Sequence, residues 1–267
     1  MAHWVRFDRA GVTAFGTLDG STLDGSTLEG STIAVHRGDM FAGSRPTGET
    51  VAVSAVRLLA PCQPSKLIAL WNNFHSLAAK LGQATPPEPL FFIKAASCYA
   101  GPGDTLHRPG GYEGKVVYEG ELGIVIGATC RNASAADAEA AIFGYTCIND
   151  LTASDILNKD PTFAQWTRAK SFDGFGPMGP AIATGLDPAT LVVRTTLNGA
   201  ERQNYPVADM IFGPVAIVQH LSHSLTLVPG DVICCGTSLG VGAMREPSNE
   251  VSVTIEGIGT LRNTYVQ

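Results

Sequence analysis

Residues 115–127, KVVYEGELGIVIG, set two carboxylates two positions apart in a run that is otherwise almost wholly apolar or glycine. Successive side chains of a strand alternate faces at a rise of about 3.3 Å per residue, so Glu119 and Glu121 are expected on one face, about 6.6 Å apart. At that spacing they can share one ligand. Tyr118, Leu122 and Ile124 would form the packing face, and Gly120 and Gly123 leave the backbone bare where a neighbour must approach. Two carboxylates turned toward a core are costly unless a cation compensates them, and a hard divalent ion is the simplest such cation. Taken alone, the pair reads as a solvated strand face with two glutamates. What shifts the balance is a third carboxylate, Asp150, which ends the apolar part of residues 144–155, GYTCINDLTASD. By itself Asp150 would read as a cap or turn residue.

The chain of 267 residues is 45% hydrophobic, enough for a large core, in one domain or in a small domain and a larger one. Its net charge of -6 is spread over only 16% charged residues. With no basic stripe, nucleic acid is excluded as a partner. The six cysteines form no CxxC pair, and the N-terminus has no apolar segment after a basic start. These features point to a cytoplasmic protein with reduced thiols, and no run of 18 apolar residues is available to cross a bilayer.

Residues 1–60 read as a small N-terminal β domain, and residues 61–267 as the main domain beyond a linker closed by Pro61 and Pro64. The pentads LDGST, LDGST and LEGST between Leu18 and Thr32 suggest an elongated hairpin or a local duplication. From Asn73 the spacing of Phe74, Leu77, Ala78 and Leu81 predicts a helix ending at Gly82, with His75 beside its apolar face. The proline-rich GQATPPEP that follows is a candidate lid. LFFIKAAS, from Leu90, buries Lys94 among aromatics. A capping box of Ser134 and Asp137 predicts a helix over 134–143 ended by Gly144, and Asp160-Pro161 predicts a short helix ending near Thr167. RAKSFDGFGPMGP, residues 168–180, reads as a glycine- and proline-rich loop holding Lys170. Asn198-Gly199 predicts a hairpin turn, and a second hairpin is expected around Gly257 and Gly259. A helix is expected over 208–225, with Pro214 either kinking it or marking its true first turn. Its His220 and His223 stand at i, i+3, but with no third ligand in view a surface role is favoured. Residues 230–242, GDVICCGTSLGVG, lack the lysine of a phosphate loop, so nucleotide binding has little support.

Four motifs, YEGELGIVIG, CINDLTASD, RAKSFDGFGPMGP and GDVICCGTSLGVG, occur in this order, and that order resembles the fumarylacetoacetate hydrolase family from about Pro61 to the C-terminus. The resemblance implies an α+β, β-rich fold with a mixed β-roll catalytic domain, a homodimer, and Mg²⁺ or Mn²⁺ held by Glu119, Glu121 and Asp150. Three oxygen ligands suit such an ion better than zinc. It further implies 2-oxo acid or β-dicarbonyl substrates, Lys170 as the cation facing the developing enolate, and Lys94, Gly236 and Thr237 as substrate contacts. His75 falls where relatives carry a lid histidine that activates water. Three departures stand out. Ala78 replaces a glutamate expected to orient that histidine, Ser154 replaces a basic residue after the metal aspartate, and WNNF, residues 71–74, replaces an asparagine-tyrosine pair. Metal-dependent hydrolysis of the C–C bond of a 2,4-dioxo acid, or of a related ring-cleavage product of aromatic catabolism, is the first reading. The second is an isomerase or decarboxylase of an unsaturated 2-hydroxy or 2-oxo dicarboxylic acid. A non-catalytic oxo-acid binder is the third, and a lysine beside a carboxylate triad speaks against it.

Overall fold

The computed structural model describes residues 1–19 and 30–267. In chain order the strands and α-helices are β1 (His3–Arg9), β2 (Val12–Asp19), β3 (Thr32–Arg37), β4 (Arg45–Ala52), β5 (Arg57–Leu59), β6 (Leu67–Trp71), α1 (His75–Leu81), β7 (Leu90–Lys94), β8 (Tyr99–Ala100), β9 (Thr105–His107), β10 (Val116–Tyr118), β11 (Gly120–Ile126), α2 (Ala135–Ala141) and β12 (Ile142–Asn149). They continue with β13 (Thr152–Ala153), α3 (Ser154–Leu157), α4 (Trp166–Lys170), β14 (Gly176–Ala183), β15 (Val192–Leu197), β16 (Ala200–Pro206), α5 (Pro214–Ser224), β17 (Val232–Cys234), β18 (Gly242–Ala243), β19 (Ser248–Ile255) and β20 (Gly259–Val266). The chain is thus α+β and rich in strand.

One large mixed sheet runs β4-β3-β2-β1-β14-β12-β11-β17-β6-β7, with β5 on β1 and β8 on β14. A second sheet of five strands runs β16-β15-β19-β20-β9, and a small one runs β13-β10-β18. The N-terminal strands join the main sheet directly, since His3 and Trp4 of β1 pair with Ala183 and Ile182 of β14. One face of the large sheet contributes Leu122, Ile124, Cys147 and Ile233 to a core shared with Val218 and Leu221 of α5 and Val253 and Leu261 of the second sheet. The other face contributes Val125, Ile148, Met178, Ile182 and Val232 to a separate core. Strands covered on both faces lose the alternation that marks a half-solvated sheet. Hence β11 and β14 are buried at every position.

Several elements depart from the sequence-based expectations. The run 115–127 is two strands, because the chain leaves the small sheet and enters the large one at Glu119. Tyr118 therefore packs with Leu151, Phe175 and Tyr265 and not with Leu122 and Ile124. The capping box of Ser134 and Asp137 is formed, but α2 ends at Ala141. Gly144 lies inside β12, where a Cβ would collide with the Ala183 carbonyl oxygen. Asp160 caps no helix; its carboxylate accepts the Thr162 N–H at 2.8 Å and the Thr162 hydroxyl at 2.6 Å, closing a local turn between α3 and α4. Residues 176–183 form a central strand despite their prolines, one of which follows a cis Gly179-Pro180 bond. Both hairpins form as expected. Asn198 and Gly199 take φ of 51° and 78°, the conformation of a type I′ turn. Pro214 is the first residue of α5, after Gly213. Most of the pentad repeat lies outside the described residues, while the strands flanking it, β2 and β3, pair antiparallel.

Because a Cβ on Gly144 would collide with the Ala183 carbonyl oxygen of β14, Gly144→Ala is expected to destabilise the protein by about 1–3 kcal/mol through overpacking. Urea unfolding measures this, and an unchanged midpoint would contradict the assigned strand contact.

Candidate metal centre

The antiparallel register of β11 on β12 sets Gly120 opposite Asn149 and Glu121 opposite Ile148. Asp150, one residue past β12, therefore emerges beside the start of β11. At the break between β10 and β11, the Asn149 Oδ1 accepts the Glu119 N–H at 3.1 Å and the Asp150 N–H donates to the Glu119 carbonyl at 2.8 Å. Two strand ends are thereby tied together, and Glu119, Glu121 and Asp150 each offer a carboxylate oxygen within 4.8 Å of the others. Among the described residues this is the one such cluster of acidic, histidine and cysteine side chains, and His220 and His223 form no part of it.

Two ammonium groups balance the cluster. Lys170 is the last residue of α4, not a member of a solvated loop, and its Nζ lies 2.8 Å from Glu119 Oε2 and 2.5 Å from Asp150 Oδ2. Lys94, the last residue of β7, forms an ion pair with Asp150 Oδ1 and donates to the Phe175 carbonyl at 2.9 Å. It is sealed from solvent, so its ammonium meets protein groups alone. The helix α4 is held over β7 by the Thr167 hydroxyl, which donates to the Ile93 carbonyl at 2.9 Å, by Ser171 Oγ accepting the Ala95 N–H at 2.9 Å, and by Trp166 packed on Phe92 and Trp71.

Three carboxylates against two ammonium groups leave one negative charge in excess. Burial, reinforced by Asp150, pushes the Glu121 carboxyl well above the usual carboxylate range. Burial opposes ionisation of Asp150 as well, but Lys170 and Lys94 outweigh it and hold that carboxyl low. For Lys170, burial is overcome by Asp150, Glu119 and Glu121, so its pKa is raised and it stays an ammonium. A buried cluster that carries one negative charge in excess is suited to a divalent ion. Its donors are hard oxygens, each keeping a lone pair beyond its protein hydrogen bond. Glu119, Glu121 and Asp150 are the residues that would hold the ion.

The flanking contacts orient these ligands. Thr152 Oγ1 donates to Glu119 Oε1 at 2.8 Å, and the Gly236 N–H donates to Glu121 Oε2 at 2.8 Å from a backbone at φ +88° that favours glycine. Thr237 Oγ1 donates to the Gly120 carbonyl at 3.0 Å. Sequence reasoning passed over Asn149 and Thr152, although both lie in the motif around Asp150; only the register that sets Asn149 opposite Gly120 gives them a partner. His75 is the first residue of α1 and is exposed, and its ring makes no hydrogen bond or ion pair among the described residues. Ala78, one turn on, is buried. In the segment 82–89, Pro86 and Pro89 are buried, and Asn72 Nδ2 donates to the Ala84 carbonyl at 3.0 Å.

An acidic triad on paired strand ends, backed by two lysines in a mixed-sheet fold, is a donor set suited to a hard divalent ion. A family model described as Fumarylacetoacetate (FAA) hydrolase C-terminal matches residues 66–266, and one described as Rv2993c-like, N-terminal matches residues 2–61. The chain belongs to the fumarylacetoacetate hydrolase family. Protein Rv2993c of Mycobacterium tuberculosis is 40% identical over 257 residues, which span 95% of this chain and 94% of that protein. Oxaloacetate tautomerase YisK of Bacillus subtilis is 35% identical over 225 residues, 79% of this chain and 74% of that one. The crystal structure of 2-hydroxyhepta-2,4-diene-1,7-dioate isomerase from Mycobacterium marinum matches with a TM-score of 0.89 at 37% identity, covering 100% of this chain and 98% of that one.

The carboxylates are not equivalent for folding, because Asp150 pairs the fully buried Lys94 while Glu119 is the most exposed of the three. Asp150→Asn removes the partner of a fully buried lysine and is expected to cost about 3–5 kcal/mol, whereas Glu119→Gln, at the cluster's most exposed carboxylate, is expected to cost under about 1 kcal/mol. Both should lose tight Mn²⁺ binding in calorimetry. The double variant Asp150→Asn/Lys94→Met should recover stability without recovering Mn²⁺, and failure to do so would separate Lys94 from Asp150.

Proposed function

We propose that this chain is a divalent-metal-dependent tautomerase or isomerase that moves a proton on a 2-oxo or 2-hydroxy dicarboxylic acid through an enolate. A bound Mg²⁺ or Mn²⁺ would supply polarisation of the substrate's 2-oxygen and acidify the adjacent carbon. The chain's own part is to set the Lys170 ammonium, fixed by Glu119 and Asp150, beside the position where negative charge develops. With the ion present, the cluster's single excess negative charge becomes a single positive one, which favours an anionic substrate.

The observation that carries this reading over C–C hydrolysis is the state of His75. A histidine that activates water needs an acceptor on its far nitrogen to fix its tautomer and stabilise the imidazolium. His75 has no such acceptor among the described residues, and the position one turn on is the methyl group of Ala78. Proton exchange at carbon needs no activated water. The relatives named as a tautomerase and as an isomerase support the same choice, and decarboxylation would draw on the same enolate.

The test is to incubate the purified protein and Mn²⁺ in D₂O with oxaloacetate, 2-hydroxyhepta-2,4-diene-1,7-dioate and an acylpyruvate. Deuterium uptake at C3 and product release are followed together by NMR. The expected result is catalysed exchange or isomerisation without cleavage, unchanged in His75→Ala and slowed about 10²- to 10³-fold in kcat by Lys170→Met. Acylpyruvate cleavage that keeps pace with exchange and is lost in His75→Ala would restore the hydrolase reading.

A further inference from the structure

Gly120, the residue between the two glutamates, has both halves of its backbone gripped by side chains from distant parts of the chain. Its N–H donates to Gln203 Oε1 at 2.9 Å. Its carbonyl accepts the Tyr205 hydroxyl at 2.5 Å and the Thr237 hydroxyl at 3.0 Å. Gln203 Nε2 then donates to Thr237 Oγ1 at 2.8 Å and to the Leu239 carbonyl at 3.3 Å, which closes the three side chains into one network. Gln203 and Tyr205 lie two residues apart on β16 and so share a face, while Thr237 follows β17. All three are buried, with 1%, 4% and 8% of their surface exposed.

The approach that makes this grip possible requires glycine. A Cβ on residue 120 would collide with Thr195 Oγ1 on β15, so any other residue would push the β15–β16 hairpin away. Backbone groups at the end of a strand need only one partner each, and water serves for most of them. Here a carbonyl takes two hydroxyl donors and the N–H takes a side-chain amide, all withdrawn from solvent. Thr237, expected to touch substrate, has its proton committed to the Gly120 carbonyl and accepts from Gln203.

We propose that Gln203, Tyr205 and Thr237 are positioning residues for the metal centre. They fix the orientation of the Gly120 backbone and thereby set the relative placement of the Glu119 and Glu121 carboxylates on either side of it. The inference rests on the reading that this triad holds the ion. Outer contacts of this kind are worth about 10- to 100-fold in metal affinity when removed.

The test measures Mn²⁺ affinity of the full chain from the electron paramagnetic resonance signal of free Mn²⁺, together with the thermal midpoint of the metal-free protein. Tyr205→Phe and Thr237→Val keep size and burial but delete one donor each. Both are expected to weaken Mn²⁺ about 10- to 100-fold, and Thr237→Ser, which keeps the hydroxyl, to restore near wild-type affinity. Lowered midpoints with wild-type Mn²⁺ affinity in both variants would reduce the network to packing and overturn the proposal. Glu121→Gln serves as the reference. If it binds Mn²⁺ like the wild type, the metal-site reading itself is wrong. If it loses Mn²⁺ while Tyr205→Phe and Thr237→Val do not, only the positioning role fails.

Discussion

Like charges a few ångströms apart repel by about 4 kcal/mol even at an effective dielectric constant near 20, so three carboxylates cannot be buried together without counter-charge. Much of the architecture answers that constraint. β7 and α4 each end in a lysine at this point of the fold, and both lysines pair with Asp150. The main sheet brings β12 against β11, α4 lies across β7, and the second sheet reaches the step between β10 and β11 through its outermost strand. Each contributes a group that the carboxylates require. The compensation stops one charge short, and burial together with Asp150 pushes the Glu121 carboxyl well above the usual carboxylate range.

Charge balance also separates the two lysines in kind. Lys94 is sealed inside and meets Asp150 and a carbonyl, so it offsets a carboxylate permanently. Lys170 bridges Glu119 and Asp150, and Glu119 is the most exposed member of the triad, so this ammonium borders the accessible side of the cluster. One lysine is enclosed by protein, the other stands at the cluster's open side. Substituting a charged residue at either position with a neutral one removes the same unit of charge, but from groups with different neighbours and different solvent access.

The parts of this arrangement visible in the sequence are those in which chemistry and local spacing coincide. Glu119 and Glu121 declare themselves as carboxylates in an apolar run, Asp150 as the polar end of another, and Asn198-Gly199 as a turn that only φ > 0 residues make easily. Lys94 reads as buried, but its partner lies 56 residues away and only the sheet order brings them together. β14 escapes notice because its glycines and prolines carry a loop signature, while the close approach of Leu67, Cys98 and Pro102 to its glycines is a tertiary fact. Gln203 and Tyr205 sit in AERQNYP, whose polar alternation describes an ordinary hairpin arm. Nothing local distinguishes a glutamine that meets water from one that holds the backbone of residue 120.

The packing of α4 over β7 carries a further meaning for solubility. β7 is the last strand of the large sheet, and an apolar strand with one free edge is a template for pairing with another chain. At the opposite end of the sheet, β4 is made unattractive by Arg45, Pro46, Glu49 and the left-handed turn at Gly48. β7, LFFIK, has no such protection of its own. It is partly covered from α4, with Thr167 donating to the Ile93 carbonyl, Ser171 just past the helix accepting the N–H of Ala95 just past the strand, and Trp166 covering Phe92. The helix that carries Lys170 therefore also covers part of this sheet edge. Loosening α4 would open this edge to pairing with another chain.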